Sequence, residues 1–334
     1  MVGPLTLLVA ALAGAVLVRL GHRVGMVDRP DGSELKPHRG EVPALGGFAV
    51  FVAVHVGMAL SSSFDPGLFA ASLLALPLGA VDDRVGLPRL LRLVVEIGFG
   101  IVLVLASAAP GFEGGPGVKV LGVLLVVVAV NAVNLFDGLD GLAGSVATVS
   151  ALGLAVLADV HGLDLEFGIV LAAALLGFLV WNWPRARLFL GDNGSYTVAV
   201  FLVFGIADAA DAGSAWSLLA VAGVLGVFVV DLAATLVRRR ILGYPTFGGD
   251  RNHLYDQLHR RGLSVWRVTL TMSVAQVVLV GILVACDALL GDAATVAVMA
   301  LVLVGAIAAL GALGFLGCQG SGDPAAPTAP GENG

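Results

Sequence analysis

The sequence predicts an all-α polytopic membrane protein with about eleven transmembrane helices, and its composition and its hydropathy pattern both indicate this. Of the 334 residues, 58% are hydrophobic and only 13% are charged, whereas soluble domains carry about 25% charged residues. A helix needs roughly 20 mostly apolar residues to cross a bilayer, and the cost of unpaired backbone in lipid restricts such segments to helices. The candidate spans are residues 2–20, 43–63, 66–81, 89–109, 117–134, 143–160, 165–183, 195–210, 214–236, 264–286 and 293–316. The third and eighth are short, so ten or twelve spans are alternatives.

Positive charge is distributed unevenly between the two sides of the predicted bundle. If the N-terminus lies outside, Lys119 is the one residue among the 18 Lys and Arg that falls on the outer side. Because Lys and Arg concentrate in the cytoplasmic loops of membrane proteins, the basic side of this topology is predicted to be cytoplasmic. We expect residues 1–317 to form a single integral membrane domain and the Pro- and Gly-rich residues 318–334 to form a disordered tail.

Polar residues gather in five predicted loops, all of which the topology places on the cytoplasmic side. These loops are residues 36–47, 79–96, 131–141, 182–195 and 231–262. Taken singly, each loop has a structural explanation. An acidic pair such as Asp82 and Asp83, for example, is explained as well by the capping of a helix end as by a functional site. Ionisable residues beside membrane segments are costly, however, and commonly mark functional sites. The five loops together therefore predict a site at the cytoplasmic ends of the helices.

Aspartates in these loops predict a cation site. Their mutual repulsion is unfavourable without a counter-charge, and oxygen ligands from Asp and Asn suit a hard ion such as Mg²⁺, which also recruits substrate phosphates. Neighbouring Arg and His side chains suit a polyanion that carries those phosphates. The aspartates concerned are Asp82, Asp83, Asp137, Asp140 and Asp192.

Two asparagines and two aspartates recur every three residues where the fifth span leaves the membrane. They are Asn131, Asn134, Asp137 and Asp140. On a helix, residues three apart are neighbours, so these side chains form a polar stripe at the inner membrane surface. A water-soluble phosphate donor and a lipid-borne acceptor can meet at such a place.

The loops resemble those of the polyprenyl-phosphate N-acetylhexosamine-1-phosphate transferases, the family that includes phospho-MurNAc-pentapeptide translocase and the GlcNAc-1-phosphate transferases. The resemblance covers residues 36–264 and rests on motifs that occur in the same order. They are K-x-H-x-G-x-x-P-x-x-G-G from Lys36, the pair Asp82-Asp83 with Arg92 where Lys is usual, N-x-x-N-x-x-D-G-x-D-G-L from Asn131, and N-x-P…F-x-G-D-x-G-S from Asn182.

The resemblance implies transfer of an N-acetylhexosamine-1-phosphate, with GlcNAc-1-phosphate expected, from a UDP-sugar to undecaprenyl or decaprenyl phosphate. UMP is released, and assembly of a cell-envelope glycan begins. The cofactor implied is Mg²⁺, with Mn²⁺ as an alternative. The partners implied are UDP-N-acetylhexosamine and polyprenyl phosphate, with no nucleic acid and with a homodimer left open. The expected location is the bacterial cytoplasmic membrane, which the chain crosses several times with its active site facing the cytoplasm.

The resemblance also implies roles for individual residues. It gives Asn134 and Asp192 as metal ligands, and it has Phe189 stack on the uracil of the donor. Catalytic roles are implied for Asp82, Asp83, Asp137, Asp140 and His253. Substrate binding is implied for Lys36, His38, Arg92, Asn131, Asn182, Phe189, Asp250 and Arg251. Direct attack by the lipid phosphate and a covalent phospho-aspartate both remain open as schemes.

The last motif departs from the family pattern. Family members usually read S-P-F…D-x-x-H-x-H-H, whereas this chain keeps only His253 of the three histidines and has Tyr255 and Asp256 in the later histidine positions. Because this loop shapes sugar recognition in the family, the departure argues against a MurNAc-pentapeptide donor. We expect GlcNAc or a deoxy-amino-sugar, with MurNAc-pentapeptide kept as an alternative.

Other classes of membrane protein fit the sequence less well. A secondary transporter binds its substrate near the bilayer midplane on broken helices, whereas the acids here lie at helix ends. A CDP-alcohol phosphotransferase requires Arg soon after its first acidic motif, and this chain has no basic residue between Asp140 and Arg185. A structural membrane protein leaves the five polar loops without an explanation.

Overall fold

The computed structural model describes residues 2–28, 40–244 and 252–317, and these residues are almost entirely helical. A two-residue antiparallel ladder pairs β1 (Val27–Asp28) with β2 (Val42–Pro43), and short 3-10 helices lie at Pro110–Phe112 and Ala222–Leu225. The α-helices of the described residues are α1 (Val2–Val24), α2 (Gly46–Leu60), α3 (Pro66–Val85), α4 (Arg89–Ala106), α5 (Pro116–Phe136), α6 (Leu142–Val160), α7 (Glu166–Asn182), α8 (Gly191–Asp208), α9 (Ala215–Val221), α10 (Gly226–Leu242), α11 (Leu254–Arg260), α12 (Val265–Leu290) and α13 (Asp292–Ala312).

Each of the eleven predicted spans coincides with helix, which confirms the all-α polytopic architecture. Ten spans correspond to one helix each, and the ninth is divided into α9, a 3-10 turn and α10. Among the described residues, six helical segments are long and apolar enough to cross a membrane, and α2 and α7 are shorter apolar helices. The predicted disordered tail lies outside the described residues.

The central helix of the bundle is α8. It packs against α2, α3, α5, α6 and α7, and every residue from 193 to 207 is buried. A helix that is enclosed on all sides belongs to the core of its protein. Because Asp192 lies in its first turn, α8 holds that carboxylate at one end of the bundle's centre.

Glycine allows α2 and α3 to approach the start of α8 closely. A Cβ atom added to Gly47 would lie 2.5 Å from the Cα of Gly194, and one added to Gly79 would lie 2.3 Å from the backbone nitrogen of Asn193. Both separations are shorter than a non-bonded contact allows. The backbones therefore touch directly, and the end of α3 lies beside the first turn of α8.

The ninth span is interrupted inside the apolar bundle, and the backbone groups freed there find side-chain partners. Gln276 on α12 accepts a hydrogen bond from the N–H of Val227 at 2.9 Å and donates one to the carbonyl of Val224 at 2.6 Å. Ser150 on α6 donates a second hydrogen bond to the same carbonyl at 2.9 Å. Because unpaired backbone groups in lipid cost several kcal/mol each, these two side chains stabilise the break.

Candidate active site

The carboxylate of Asp83, at the end of α3, holds the first turn of α8. Its Oδ1 accepts a hydrogen bond from the backbone N–H of Asp192 at 2.9 Å. Its Oδ2 accepts from the side-chain amide of Asn193 at 2.9 Å and from that residue's backbone N–H at 3.3 Å. The first N–H groups of a helix lack partners within the helix and form the positive end of its dipole. A carboxylate there fixes the helix terminus, and two of the predicted motifs meet at this point.

The two predicted metal ligands are adjacent. The side-chain amide of Asn134 donates to Oδ1 of Asp192 at 2.6 Å and to Oγ of Ser195 at 3.0 Å. Rotating an amide by 180° exchanges its oxygen and nitrogen, which would turn the Asn134 oxygen toward Asp192. Neighbouring oxygens around octahedral Mg²⁺ are about 3 Å apart. The donor types and their separation therefore fit a hard divalent cation held by these two residues.

Asp137 caps the end of α5 and is half-buried. Its burial and then the negative charges of Asp192, Asp83 and Asp140 raise the pKa of the Asp137 carboxyl to about 8. The structure thus brings together carboxylates from three of the predicted loops. Because each negative charge disfavours ionisation of the next, a bound cation would lower the energy of the whole group.

Asp140 is tied to the loop that precedes α8. Its Oδ2 accepts a hydrogen bond from the backbone N–H of Ala186 at 3.0 Å, and its carbonyl accepts one from the hydroxyl of Thr269 on α12 at 3.3 Å. These contacts place the start of α12 at the same end of the bundle as the aspartates. They also fix the carboxylate of Asp140 beside the site.

Asp82 has a different role from its neighbour Asp83. It is 6% exposed, and its Oδ2 accepts from the hydroxyl of Tyr196 at 2.6 Å and from Nη1 of Arg92 at 3.2 Å. Its Oδ1 accepts from the backbone N–H of Leu87 at 2.6 Å. Asp82 therefore orients Arg92, whereas the exposed Asp83 is the member of the pair that faces the other acids.

The two outer asparagines of the predicted motifs contact protein groups. Asn182 is buried, and its amide accepts from the N–H of Gly141 and donates to the carbonyl of Leu188, both at 2.9 Å. Both ends of this amide join loops of the protein, and its expected role in substrate binding stays a prediction. Asn131 is exposed and donates to Oε2 of Glu96 on α4 at 2.8 Å, so it lies at the α4–α5 contact.

His253 is enclosed at the start of α11, with 2% exposure. Its Nδ1 lies 2.7 Å from Oδ2 of the buried Asp231, and its ring stacks on that of Tyr255, with 5.5 Å between ring centroids and 5° between ring planes. The Tyr255 hydroxyl donates to the carbonyl of Leu135 at 2.9 Å. The expected catalytic role of His253 stays a prediction; in this structure its buried ring contacts Asp231 and stacks on Tyr255, which hydrogen-bonds the end of α5.

Phe189 joins the first and fourth predicted motifs through its backbone. Its N–H donates to the carbonyl of Pro43 at 2.8 Å, and its own carbonyl accepts from the N–H of Gly46 at 2.9 Å. Its side chain is half-buried, and stacking on a base stays a prediction. The remaining predicted substrate-binding residues, which lie outside the described residues, are Lys36, His38, Asp250 and Arg251.

Three buried polar residues that support the site were not among the predicted site residues, although Glu96 and Asp231 lie at the edges of two predicted polar loops. Tyr196 hydrogen-bonds Asp82, and Asp231 contacts the His253 ring. Glu96, with 3% exposure, accepts a hydrogen bond from Asn131. Both acids could have been named, because each lies within a predicted apolar span, where an ionisable residue is costly and therefore informative. Tyr196 carries no comparable signal.

Comparison with known proteins shows what this chain resembles. The family described as glycosyl transferase family 4 matches residues 66–209. The decaprenyl-phosphate N-acetylglucosaminephosphotransferase of Mycobacterium tuberculosis is 30% identical, over 81% of this chain and 78% of its own length. The chain belongs to glycosyl transferase family 4. This confirms the family that the motifs indicated.

Two other relatives of this glycosyl transferase family 4 member are similar over most of their lengths. The probable undecaprenyl-phosphate N-acetylglucosaminyl 1-phosphate transferase of Bacillus subtilis is 28% identical over 87% of this chain and 84% of its own length. The undecaprenyl-phosphate alpha-N-acetylglucosaminyl 1-phosphate transferase of Salmonella typhi is 28% identical over 78% of this chain and 76% of its own length.

The segment matched to glycosyl transferase family 4 runs from the start of α3 to just past the end of α8. It contains Asp83, Asn134, Asp137, Asp140 and Asp192, which form the centre of the site. The glycines of α2 and the Tyr255 brace contact this segment from outside it. Family membership and the apolar helices together identify a transferase that crosses the membrane several times.

Proposed function

We propose that this membrane transferase moves N-acetylhexosamine-1-phosphate, with GlcNAc-1-phosphate as the favoured group, from a UDP-sugar to a polyprenyl phosphate. One observation carries the proposal. Carboxylates from three loops, together with Asn134, lie at one end of the bundle beside the half-exposed Arg92. The names of the relatives support the same acceptor class and the same transferred group.

The proposed reaction exchanges one phosphorus–oxygen bond for another. A non-bridging oxygen of the lipid phosphate attacks the β-phosphorus of the UDP-sugar, and the bond from that phosphorus to the bridging oxygen breaks. UMP leaves with the electron pair, and the product is a polyprenyl diphospho-sugar. A general base is hardly needed, because the second pKa of a phosphate monoester is about 6. The lipid phosphate can therefore attack directly, and a phospho-aspartate intermediate is the alternative scheme.

Charge neutralisation is the main requirement, because both reactants are anions. Mg²⁺ held by Asn134 and Asp192 would supply positive charge at the diphosphate. Arg92, which Asp82 orients, would bind the lipid phosphate. Asp83 keeps the first turn of α8 in place, so that Asp192 faces the other acids.

An apolar groove between α4 and α5 suits the lipid chain of the acceptor. Its volume is about 540 Å³, and it is lined mainly by Leu93, Ile97, Ile101, Val120, Val123 and Leu124. It begins one residue beyond Arg92. An isoprenoid chain is apolar and can fill this groove while its phosphate contacts the guanidinium. The same placement would put the phosphate near the carboxylates and their cation.

The donor and the setting are part of the proposal. The loop with Tyr255 and Asp256 favours GlcNAc, with a deoxy-amino-sugar or MurNAc-pentapeptide as the alternative donor. We propose that the protein lies in the bacterial cytoplasmic membrane with this site facing the cytoplasm, because the loops at this end carry most of the basic residues and such loops are usually cytoplasmic. UDP-sugars are soluble, so they would reach the site from the cytoplasm.

The test is transfer by membranes that contain the protein. The membranes are incubated with polyprenyl phosphate and a panel of labelled UDP-amino-sugars, with and without Mg²⁺, and UMP and lipid diphosphate are measured. We expect both products with UDP-GlcNAc, and we expect Asp192→Asn to abolish them without loss of the folded protein. The matched control is Asp159→Asn, which changes an exposed aspartate at the other end of α6. Wild-type turnover by Asp192→Asn, or solute uptake without a lipid product, would contradict the proposal.

A further inference from the structure

A second cluster of ligating side chains lies at the end of the bundle opposite the active site. It consists of His161, Asp287 and Asp292, and one ligating atom of each residue lies within 4.8 Å of the others. His161 follows the far end of α6, whose other end begins at the active-site loop. Asp287 lies 18 residues beyond Thr269 on α12, which is about 27 Å along the helix axis. The cluster is therefore separate from the aspartates of the active site.

Asp287 is enclosed and not fully paired. The residue is 8% exposed, its Oδ2 lies 2.7 Å from Nε2 of His161, and its Oδ1 is buried with no hydrogen-bond partner among the described residues. A buried carboxylate oxygen without a partner is unfavourable. A cation bound beside this oxygen would remove that cost.

His161 is oriented as a metal-binding histidine is. Its Nδ1 lies 2.7 Å from the carbonyl of Ala209, so Nδ1 carries the proton and donates it. Metal-bound histidines commonly donate their second ring nitrogen to a carbonyl or a carboxylate in this way. In the neutral ring, Nε2 then presents a lone pair toward the Asp287 carboxylate. Two lone pairs at 2.7 Å repel each other, so this contact holds a proton, which a metal ion bound by both atoms would displace.

The surrounding charge favours a cation. Asp292 is half-buried at the start of α13, and its Oδ2 accepts from the hydroxyl of Ser214 at 3.4 Å. Asp211 is close enough to act electrostatically on both His161 and Asp292. Three aspartates thus surround one imidazole.

We propose that His161, Asp287 and Asp292 form a divalent transition-metal site, with Zn²⁺ as the ion that best fits one imidazole and two carboxylates. Zinc accepts nitrogen and carboxylate ligands at about 2.0–2.2 Å and is usually tetrahedral, so its ligand atoms lie about 3.4 Å apart. Binding would widen the 2.7 Å contact between His161 and Asp287 and turn the half-buried Asp292 carboxylate toward the ion. Oxygen-only ions such as Ca²⁺ and Mg²⁺ fit a histidine ligand less well.

The metal would fasten the last two helices to the bundle. Along α13, Thr295 is the one buried residue, so this helix has little packing of its own. Asp287 and Asp292 lie on either side of the α12–α13 turn, and His161 belongs to the more enclosed α6. A shared ion would therefore link the turn to the core and would act on stability rather than on the chemistry of transfer.

The test uses the full-length protein in detergent, stripped with a chelator and carrying Asp192→Asn so that metal at the active site is reduced. We expect about one Zn²⁺ per chain and a rise in the unfolding temperature with Zn²⁺, neither of which Mg²⁺ should reproduce. Asp292→Asn should weaken Zn²⁺ binding at least about tenfold, and His161→Gln should do the same. Asp159→Asn, the neighbouring exposed aspartate, should change neither quantity.

A second measurement does not depend on the variants folding. Co²⁺ added to the stripped protein should give visible absorption bands typical of tetrahedral nitrogen and oxygen coordination, and Zn²⁺ should displace it. An unfolding temperature that Zn²⁺ does not change, or Zn²⁺ binding that survives His161→Gln, would overturn the proposal. The proposal would also be overturned if the parent protein bound no metal while His161→Gln lowered the unfolding temperature. That result would identify a simple imidazolium–carboxylate ion pair.

Discussion

Asp83 and Asp192 are 109 residues apart in the chain, yet the carboxylate of Asp83 accepts a 2.9 Å hydrogen bond from the backbone N–H of Asp192. The same carboxylate bonds Asn193, so it fixes the first turn of the central helix. The predicted metal ligand Asp192 is thereby held by an acid from another helix. This relationship joins the two motifs on which the proposed chemistry depends.

Replacing Asp83 by Asn should weaken this junction. The amide keeps one acceptor oxygen but loses the negative charge at the helix terminus and turns an N–H₂ group toward a donor. We expect the free energy of unfolding to fall by about 1 kcal/mol, and the Mg²⁺ concentration for half-maximal transfer to rise. Unfolding in detergent and a Mg²⁺ titration measure the two effects. An Asp83→Asn protein that matches the parent in both would show that the junction is dispensable.

Gly47→Ala should separate α2 from α8. The new methyl group would lie 2.5 Å from the backbone of Gly194, and backbone there cannot move aside without shifting the active-site turn. We expect a lower unfolding temperature and loss of transfer. The control is Gly98→Ala in α4, where no atom lies within 4 Å of the added Cβ and where alanine favours the helix by up to about 1 kcal/mol. Equal behaviour of the two variants would contradict the close approach.

Phe189→Ala tests the predicted stacking on the uracil. Removing an aromatic ring that stacks on a base costs about 1–3 kcal/mol, so we expect the KM for the UDP-sugar to rise at least about fivefold. The KM for polyprenyl phosphate should stay the same. Trp216→Ala, which removes an aromatic ring that is 55% exposed at the opposite end of the bundle, is the control. A donor KM that does not change would remove Phe189 from the nucleotide site.

The raised pKa of Asp137 predicts how pH acts on stability. Its pKa of about 8 lies above the ordinary value of 3.8, so the folded protein favours the neutral acid and loses stability as pH rises between these values. Mg²⁺ favours the carboxylate and should reduce that loss, so its stabilising effect should grow toward the higher pH. Unfolding temperatures measured across this range, with and without Mg²⁺, test the sign. Asp137→Asn should flatten the pH dependence, and an unchanged slope would refute the assignment.

Ile97→Trp tests the groove between α4 and α5. The larger ring would occupy space proposed for the lipid chain, so we expect the KM for polyprenyl phosphate to rise while the KM for the donor stays the same. Leu301→Trp, on the exposed surface of α13 where Leu301 is 71% exposed, is the matched control. If Ile97→Trp raises the KM for a short-chain, water-soluble phosphate acceptor as much as the KM for the full-length lipid, the groove does not hold the lipid chain.

The architecture could be predicted because hydrophobic length alone limits where a helix can cross a membrane. The meeting of Asp83, Asn134 and Asp192 followed from the same reasoning, since alternating helices return the loops to one side. Which of two adjacent acids faces the site could not be read from the sequence. Neighbouring helical residues point about 100° apart, and only the positions of α4 and α8 decide that Asp82 is buried.

The burial of polar residues within a motif could not be predicted from the sequence. Asn182 and His253 carry groups that suit substrates, yet each is enclosed and paired with the protein itself. Such roles depend on contacts between distant segments, and no local pattern encodes them. The break in the ninth span is similar, because its partner Gln276 lies on another helix.

The amide of Gln276 sets a limit on engineering this protein for greater robustness. Replacing a glutamine by leucine within a membrane-spanning helix makes that helix more hydrophobic. Here the same exchange would strand the Val227 N–H that the amide now satisfies. The more hydrophobic variant would therefore be less stable. Variant libraries designed on hydrophobicity alone would remove a side chain that stabilises the break between α9 and α10.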